Sequence, residues 1–171
     1  HGITRLLDTE KIIVLQGQCV KDKTVYQYCQ EKTDCANEIR KFIETDVRSY
    51  SVLMRNYQQY KQLPNPFQVG KLYYKKSNDR ITVEYDDVEV MSTEYKGAFK
   101  MLFEGRWWET LVADAVAHWA KDKGFEVWTN VRFEPGKKQS KNDKNEIDVL
   151  VNIGNSLLFV ECKSGIFTQD N

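Results

Sequence analysis

The chain predicts a mixed α/β fold of the α+β kind, and three features carry that expectation. An amphipathic helical run extends over residues 33–57, β-rich runs with turn signals occupy 69–90, and two short strands joined by a tight turn fill 145–163. With 171 residues and 41% hydrophobic content, the chain can bury one good core or two small ones.

Taken in order, residues 12–16 (Ile-Ile-Val-Leu-Gln) predict a short strand, followed by a polar stretch with Tyr26 and Tyr28 that carries no clear period. Thr33-Asp34 resemble an N-cap. From there the spacing of Ile39, Phe42, Ile43, Val47, Tyr50, Leu53 and Tyr57 predicts one long amphipathic helix or two consecutive ones, stopped by Pro64 and Pro66. Residues 69–76 and 80–90, joined by Ser77-Asn78-Asp79, predict a β-hairpin. Ser92 begins a second helical region, broken near Gly105 and resumed from Arg106 to about Lys123. Trp108, Leu111, Val112, Ala115 and Trp119 line one face of it, and Gly124 supplies its stop. Residues 125–133 alternate as a strand, and 134–144 form a polar loop with Pro135-Gly136 and four lysines. A boundary near residue 95 divides the chain into a helical and hairpin segment, 1–94, and a second domain, 95–171. The start at His1-Gly2 and the polar tail after Lys163 read as those of a fragment truncated at its C-terminus.

Composition narrows the function classes. Lys plus Arg (25) balances Asp plus Glu (25), so no global field attracts nucleic acid, and any such binding must use local patches. Lys137, Lys138, Lys141 and Lys144 form one candidate patch, equally readable as a solvated loop. Lys71, Lys75, Lys76 and Arg80 on the hairpin form another, for which edge protection is the stronger reading. The four cysteines (19, 29, 35 and 162) lack CxxC spacing, and with two histidines they argue against a zinc cluster and for a reduced, cytoplasmic compartment. No apolar run approaches the roughly 20 residues needed to span a bilayer, so no membrane association is expected.

The chemistry concentrates in residues 145–163. Gly154-Asn155 is a two-residue hairpin signal, because glycine takes the positive φ that such turns require. Ile153 then pairs with Ser156, and counting outward sets Asp148 opposite Glu161 and Glu146 opposite Lys163. Alternation would put all four on one face, with Leu150 and Phe159 continuing it toward the turn and burying it. Opposed carboxylates about 4 Å apart repel by about 4 kcal/mol at an effective dielectric of 20. A divalent cation removes that repulsion, and hard oxygen ligands suit Mn²⁺ or Mg²⁺ with a phosphodiester as the natural substrate. Lys163 could orient a nucleophile or neutralise developing charge. The competing reading makes Glu146 and Lys163 an ordinary cross-strand salt bridge, with both acids in solvent. His118 fits a solvated histidine, and Trp107, Trp108 and Trp119 are either core residues or stacking platforms for bases.

Asp148, twelve intervening residues, then Glu161-Cys162-Lys163 resembles the D-x(n)-E-x-K signature of PD-(D/E)xK nucleases. With Gly105-Arg106-Trp107-Trp108-Glu109, Asn145-Glu-Ile-Asp-Val149 and Phe159-Val-Glu-Cys-Lys-Ser-Gly165, the chain is similar to the ancillary CRISPR nucleases that carry a CARF domain. The resemblance implies a restriction-endonuclease-like mixed sheet flanked by helices, preceded by a winged-helix-like segment. It also implies Mn²⁺- or Mg²⁺-dependent cleavage of DNA or RNA in antiviral defence, and a homodimer in the full-length prokaryotic protein. By the same resemblance Asp148 and Glu161 would be metal ligands, Lys163 catalytic, and Glu109 an assisting acid on the helix. Glu109 also reads as a first-turn acid that favours the helix dipole. Glu146 would orient Lys163 or act as a secondary ligand. Lacking a CARF domain, the chain is not expected to respond to cyclic oligoadenylate. The alternative function is a non-catalytic nucleic-acid-binding or regulatory module that keeps the nuclease fold, and a third reading is a structural interaction domain.

Overall fold

The structure, a computed structural model, describes residues 12–21, 23–60, 62–135 and 145–163. In chain order the elements are β1 (Ile12–Cys19), α1 (Lys23–Thr45), α2 (Val47–Tyr60), β2 (Phe67–Val69), β3 (Leu72–Ser77), β4 (Arg80–Tyr85) and β5 (Val88–Thr93). They continue with α3 (Ala98–Glu104), α4 (Arg106–Lys121), β6 (Glu126–Pro135), β7 (Asn145–Asn152) and β8 (Leu157–Val160). The result is the expected mixed α+β architecture, with two four-stranded sheets of order β1-β6-β7-β8 and β2-β3-β4-β5 among the described residues. Where the resemblance implies a mixed sheet, every strand pair in the described residues is antiparallel.

The chain groups into two compact units, one comprising residues 31–111 and 164–171, the other 1–30 and 112–163. Helix α1 starts at Lys23, well before the expected cap, and Thr33 is a buried residue inside it. The cap sits instead at Asp46, whose carboxylate accepts the Arg48 N–H (2.9 Å) and the Ser49 hydroxyl (2.7 Å) and so separates α1 from α2. The Ser49 bond holds the Asp46 carboxyl below its ordinary range. The expected hairpin is a four-stranded meander. Asn78 takes a positive φ in the β3–β4 turn. Asp86 and Asp87, both at positive φ, make a further turn that splits residues 80–90 into β4 and β5. Consequently Ser92 lies in a strand, and the next helix starts at Ala98.

Ile39, Phe42 and Leu53 from the helices pack with Leu72, Tyr74, Ile81, Val83 and Met91 from the meander, and with Leu102, Phe103 and Trp107. Each such fully buried side chain contributes about 1.5–3 kcal/mol. Tyr95 packs against this core.

In the other unit, Ala113, Val116 and Ala120 of α4 pack with Val127, Val149 and Val151, while Val131 and Leu150 gather Trp128, Phe133, Ile147 and Leu157. The expected stripe on α4 holds at Leu111, which packs against the first core, and fails at Ala115 and both of its tryptophans. Trp108 and Trp119 are 40% and 46% exposed, whereas Trp107, which the stripe leaves out, is buried. Alanines let a helix approach a sheet closely, and Trp108 and Trp119, which weigh most in a periodicity reading, are left outside. No described helix is long and apolar enough to cross a membrane.

Candidate functional site

Gly154 at φ 100° and the Ile153 N–H donating to the Ser156 carbonyl (3.0 Å) close the β7–β8 turn as the sequence predicts. The pairs Asn152↔Leu157, Val151↔Leu158, Leu150↔Phe159 and Val149↔Val160 follow in the same register. One step further, where counting would set Asp148 opposite Glu161, the pairing stops and β8 has ended. The ending has a visible cause. The Cys162 N–H donates to Asp148 Oδ2 at 2.6 Å, so a carboxylate rather than a strand carbonyl receives it. A charge-assisted bond of this kind is roughly twice as strong as a neutral one and fixes the Asp148 side chain at the mouth of the hairpin.

Glu161 is exposed, and its carboxylate takes the Lys163 ammonium two residues on. Glu146 forms its ion pair with Arg132, whose Nε and a terminal guanidinium nitrogen each lie 3.2 Å from Glu146 Oε2. The expected Glu146–Lys163 pairing overlooks the neighbour on the opposite side of β7, since Arg132 and Glu146 are direct partners in the β6–β7 ladder. The burial expected along the charged face holds at Leu150, which is fully buried, and fails at Phe159, which is 53% exposed. β8 is the last strand in the sheet order, with a neighbour on one side alone among the described residues.

Glu109 stands in the first turn of α4, half-buried, where a negative charge favours the helix dipole. It belongs to the stretch grouped with residues 31–111, and Asp148 to the other unit. Lys137, Lys138, Lys141 and Lys144 lie outside the described residues. Of the meander cations, Lys71 pairs with Asp86 (2.6 Å), Arg80 with Glu94, and Lys76 lies 5.0 Å from the Phe99 ring centroid. His118 is exposed and bonded to the Asp114 carbonyl on its own helix (2.9 Å), as a solvated histidine would be.

For a divalent cation, the donor chemistry at the hairpin mouth is suitable in kind: Asp148 and Glu161, the residues next beyond the last pair of the ladder, are hard oxygen donors. It is partial in number, because no group of three or more His, Cys, Asp or Glu side chains able to hold a metal forms among the described residues. Mg²⁺ and Mn²⁺ tolerate a two-carboxylate set, keeping other positions for water and phosphate oxygens.

Residues 104–171 match the family model of NERD, the nuclease-related domain. The matched stretch takes in α4 with Glu109, strands β6 to β8, and all three of Asp148, Glu161 and Lys163. It supports a nuclease-like domain of the PD-(D/E)xK type there. Comparison with curated proteins and with solved structures finds no match.

Proposed function

We propose that residues 104–171 act as a metal-dependent nuclease that hydrolyses phosphodiester bonds of DNA or RNA. The observation that carries this reading is the β7–β8 register, whose last pair Val149↔Val160 leaves Asp148 and Glu161 as the next residues at the same end of the hairpin, inside the stretch similar to the nuclease-related domain. Asp148 and Glu161 would hold Mn²⁺ or Mg²⁺. Such an ion supplies positive charge and Lewis acidity toward a phosphodiester. The protein's own contribution is positional and electrostatic. The Cys162 N–H holds one oxygen of Asp148 and thereby orients the other. Lys163 pairs with Glu161 in the resting chain, and its charge would serve a substrate phosphate. Glu146, paired with Arg132, is a supporting acid. Lys137, Lys138, Lys141 and Lys144 supply a basic approach for the phosphate backbone. A homodimeric, antiviral CRISPR-associated parent protein rests on the motif resemblance.

A second reading is favoured by the same bond: Asp148 caps the end of β8, and Glu161 and Lys163 form a surface ion pair, in a module that binds nucleic acid without cutting it. Incubation of end-labelled single-stranded RNA, single-stranded DNA and supercoiled plasmid with Mn²⁺, Mg²⁺ or chelator separates the two. Metal-dependent cleavage that disappears in Asp148→Asn is the expected result. Salt-dependent binding without cleavage under any metal would establish the second reading instead.

A further inference from the structure

We infer that Asn130 is a positioning residue that aims Asp148, a role that rests on the nuclease reading for its purpose but not for its geometry. In the β6–β7 ladder the pairs Thr129↔Val149 and Val131↔Ile147 flank a gap in which Asn130 stands opposite Asp148. The other neighbour of β6 shows an irregularity at the same place. Between Gln18↔Thr129 and Gln16↔Arg132, β6 advances one residue more than β1 does, and by Val14↔Phe133 the register is restored, so the irregularity is local. Asn130 adopts φ 51°, the left-handed conformation that Asn tolerates better than most residues and that β-branched residues resist. A bulge with its extra residue in that region bends the strand and redirects side chains.

The packing records the redirection. In a regular strand Val127 and Val131 share a face, as do Ile147 and Val149. Here Val127 packs with Val149, Val151 and Ala120, whereas Val131 packs with Leu150, beside Ile147. Both strands therefore exchange faces at Asn130 and Asp148. Asp148 sits at the exchange point, and its carboxylate accepts the Cys162 N–H. Gly17 fits the same device, since a Cβ there would lie 2.9 Å from the Trp128 ring and 3.4 Å from Val131. Asn130 is thus required for its backbone conformation, which glycine can also supply.

The test is amide exchange at Cys162, read by NMR on the metal-free chain, for the parent and for Asn130→Gly, Asn130→Ala and Asn130→Val. Parent and Asn130→Gly should exchange alike, while Asn130→Ala and Asn130→Val should speed Cys162 exchange by about tenfold or more, with Val83 in the meander unaffected. Should the valine variant fail to fold, the alanine variant carries the comparison. Unchanged Cys162 exchange in the alanine variant overturns the inference. Mn²⁺ titration followed by line broadening adds the functional arm: the glycine variant should bind as the parent does, and the alanine variant about tenfold more weakly. A parent that binds no Mn²⁺, with Cys162 exchange still governed by residue 130, overturns the nuclease reading and leaves the positioning inference standing.

Discussion

Replacing Asp148 by Asn and by Ala separates the two tasks that the structure assigns to one carboxylate. Asparagine retains an acceptor oxygen for the Cys162 N–H, which Asp148 receives at 2.6 Å, and loses charge assistance. The expected loss without metal is about 1 kcal/mol, reduced further by relief of repulsion with Glu161. Alanine leaves the half-buried N–H without that acceptor, and the expected loss is about 1–3 kcal/mol. Metal reverses the emphasis. At a hundredfold excess over its Kd, Mn²⁺ should stabilise the parent by about 2.7 kcal/mol. For a chain of this size that is a rise in Tm of roughly 5–10 °C, and both variants should lose it. Thermal melting by circular dichroism, with Mn²⁺ titrated and then chelated, reads all three chains. A Mn²⁺ shift in Asp148→Asn equal to that of the parent would refute the assignment of Asp148 as a ligand. Equal metal-free stability of the Asn and Ala variants would refute the capping role of the Cys162 bond.

Further outcomes follow from other contacts. Arg132→Met should change stability by less than about 1 kcal/mol and leave the Mn²⁺ shift intact, because its pair with Glu146 is solvent-accessible; melts of the same series check this. Burial pushes the Cys35 thiol from 9.0 up to about 11, against a smaller opposing effect of Thr93. The folded state thus keeps a proton that the unfolded state releases. Stability should be insensitive to this group below pH 9 and fall by about 2–3 kcal/mol between pH 9 and 11, a loss that Cys35→Ala should lack in urea titrations. Tyr74, pushed to about 12 by burial, acts in the same direction at higher pH. Changing Lys137, Lys138, Lys141 and Lys144 together to Gln should weaken single-stranded nucleic-acid binding and flatten its salt dependence by about 0.7 log units per lost phosphate contact, measured by fluorescence anisotropy.

The hairpin was legible because a two-residue turn with Gly154 fixes register by counting, and register needs no tertiary information. The α+β class followed from periodicity in the same way. Contacts that depend on a third strand were not legible. Arg132 lies far from Lys163 in sequence, and its pairing with Glu146 required knowing that β6 flanks β7 on the side away from β8. Placement of β1 beside β6 was hidden for the same reason. Asp86-Asp87 carried a turn signal that a run of Ile, Val and Tyr obscured, and the missed strand β5 displaced the expected helix start. On α4, hydrophobic size pointed to Trp108 and Trp119, while the sheet selected the small residues Ala113 and Ala120. Asn130 offered no periodic signal, because an asparagine within a strand pattern is as readily a polar surface residue as a bulge.

Asp148 reads position 162 through its main chain, and that bond places no demand on which side chain stands there. Serine, alanine or valine in place of Cys162 can present the same N–H, whereas proline has none to present and should release Asp148 without removing any charged group. The hairpin therefore contains a site at which the carboxylate's orientation can be varied while every ionisable residue of the proposed centre stays in place. It offers a way to vary aim separately from charge.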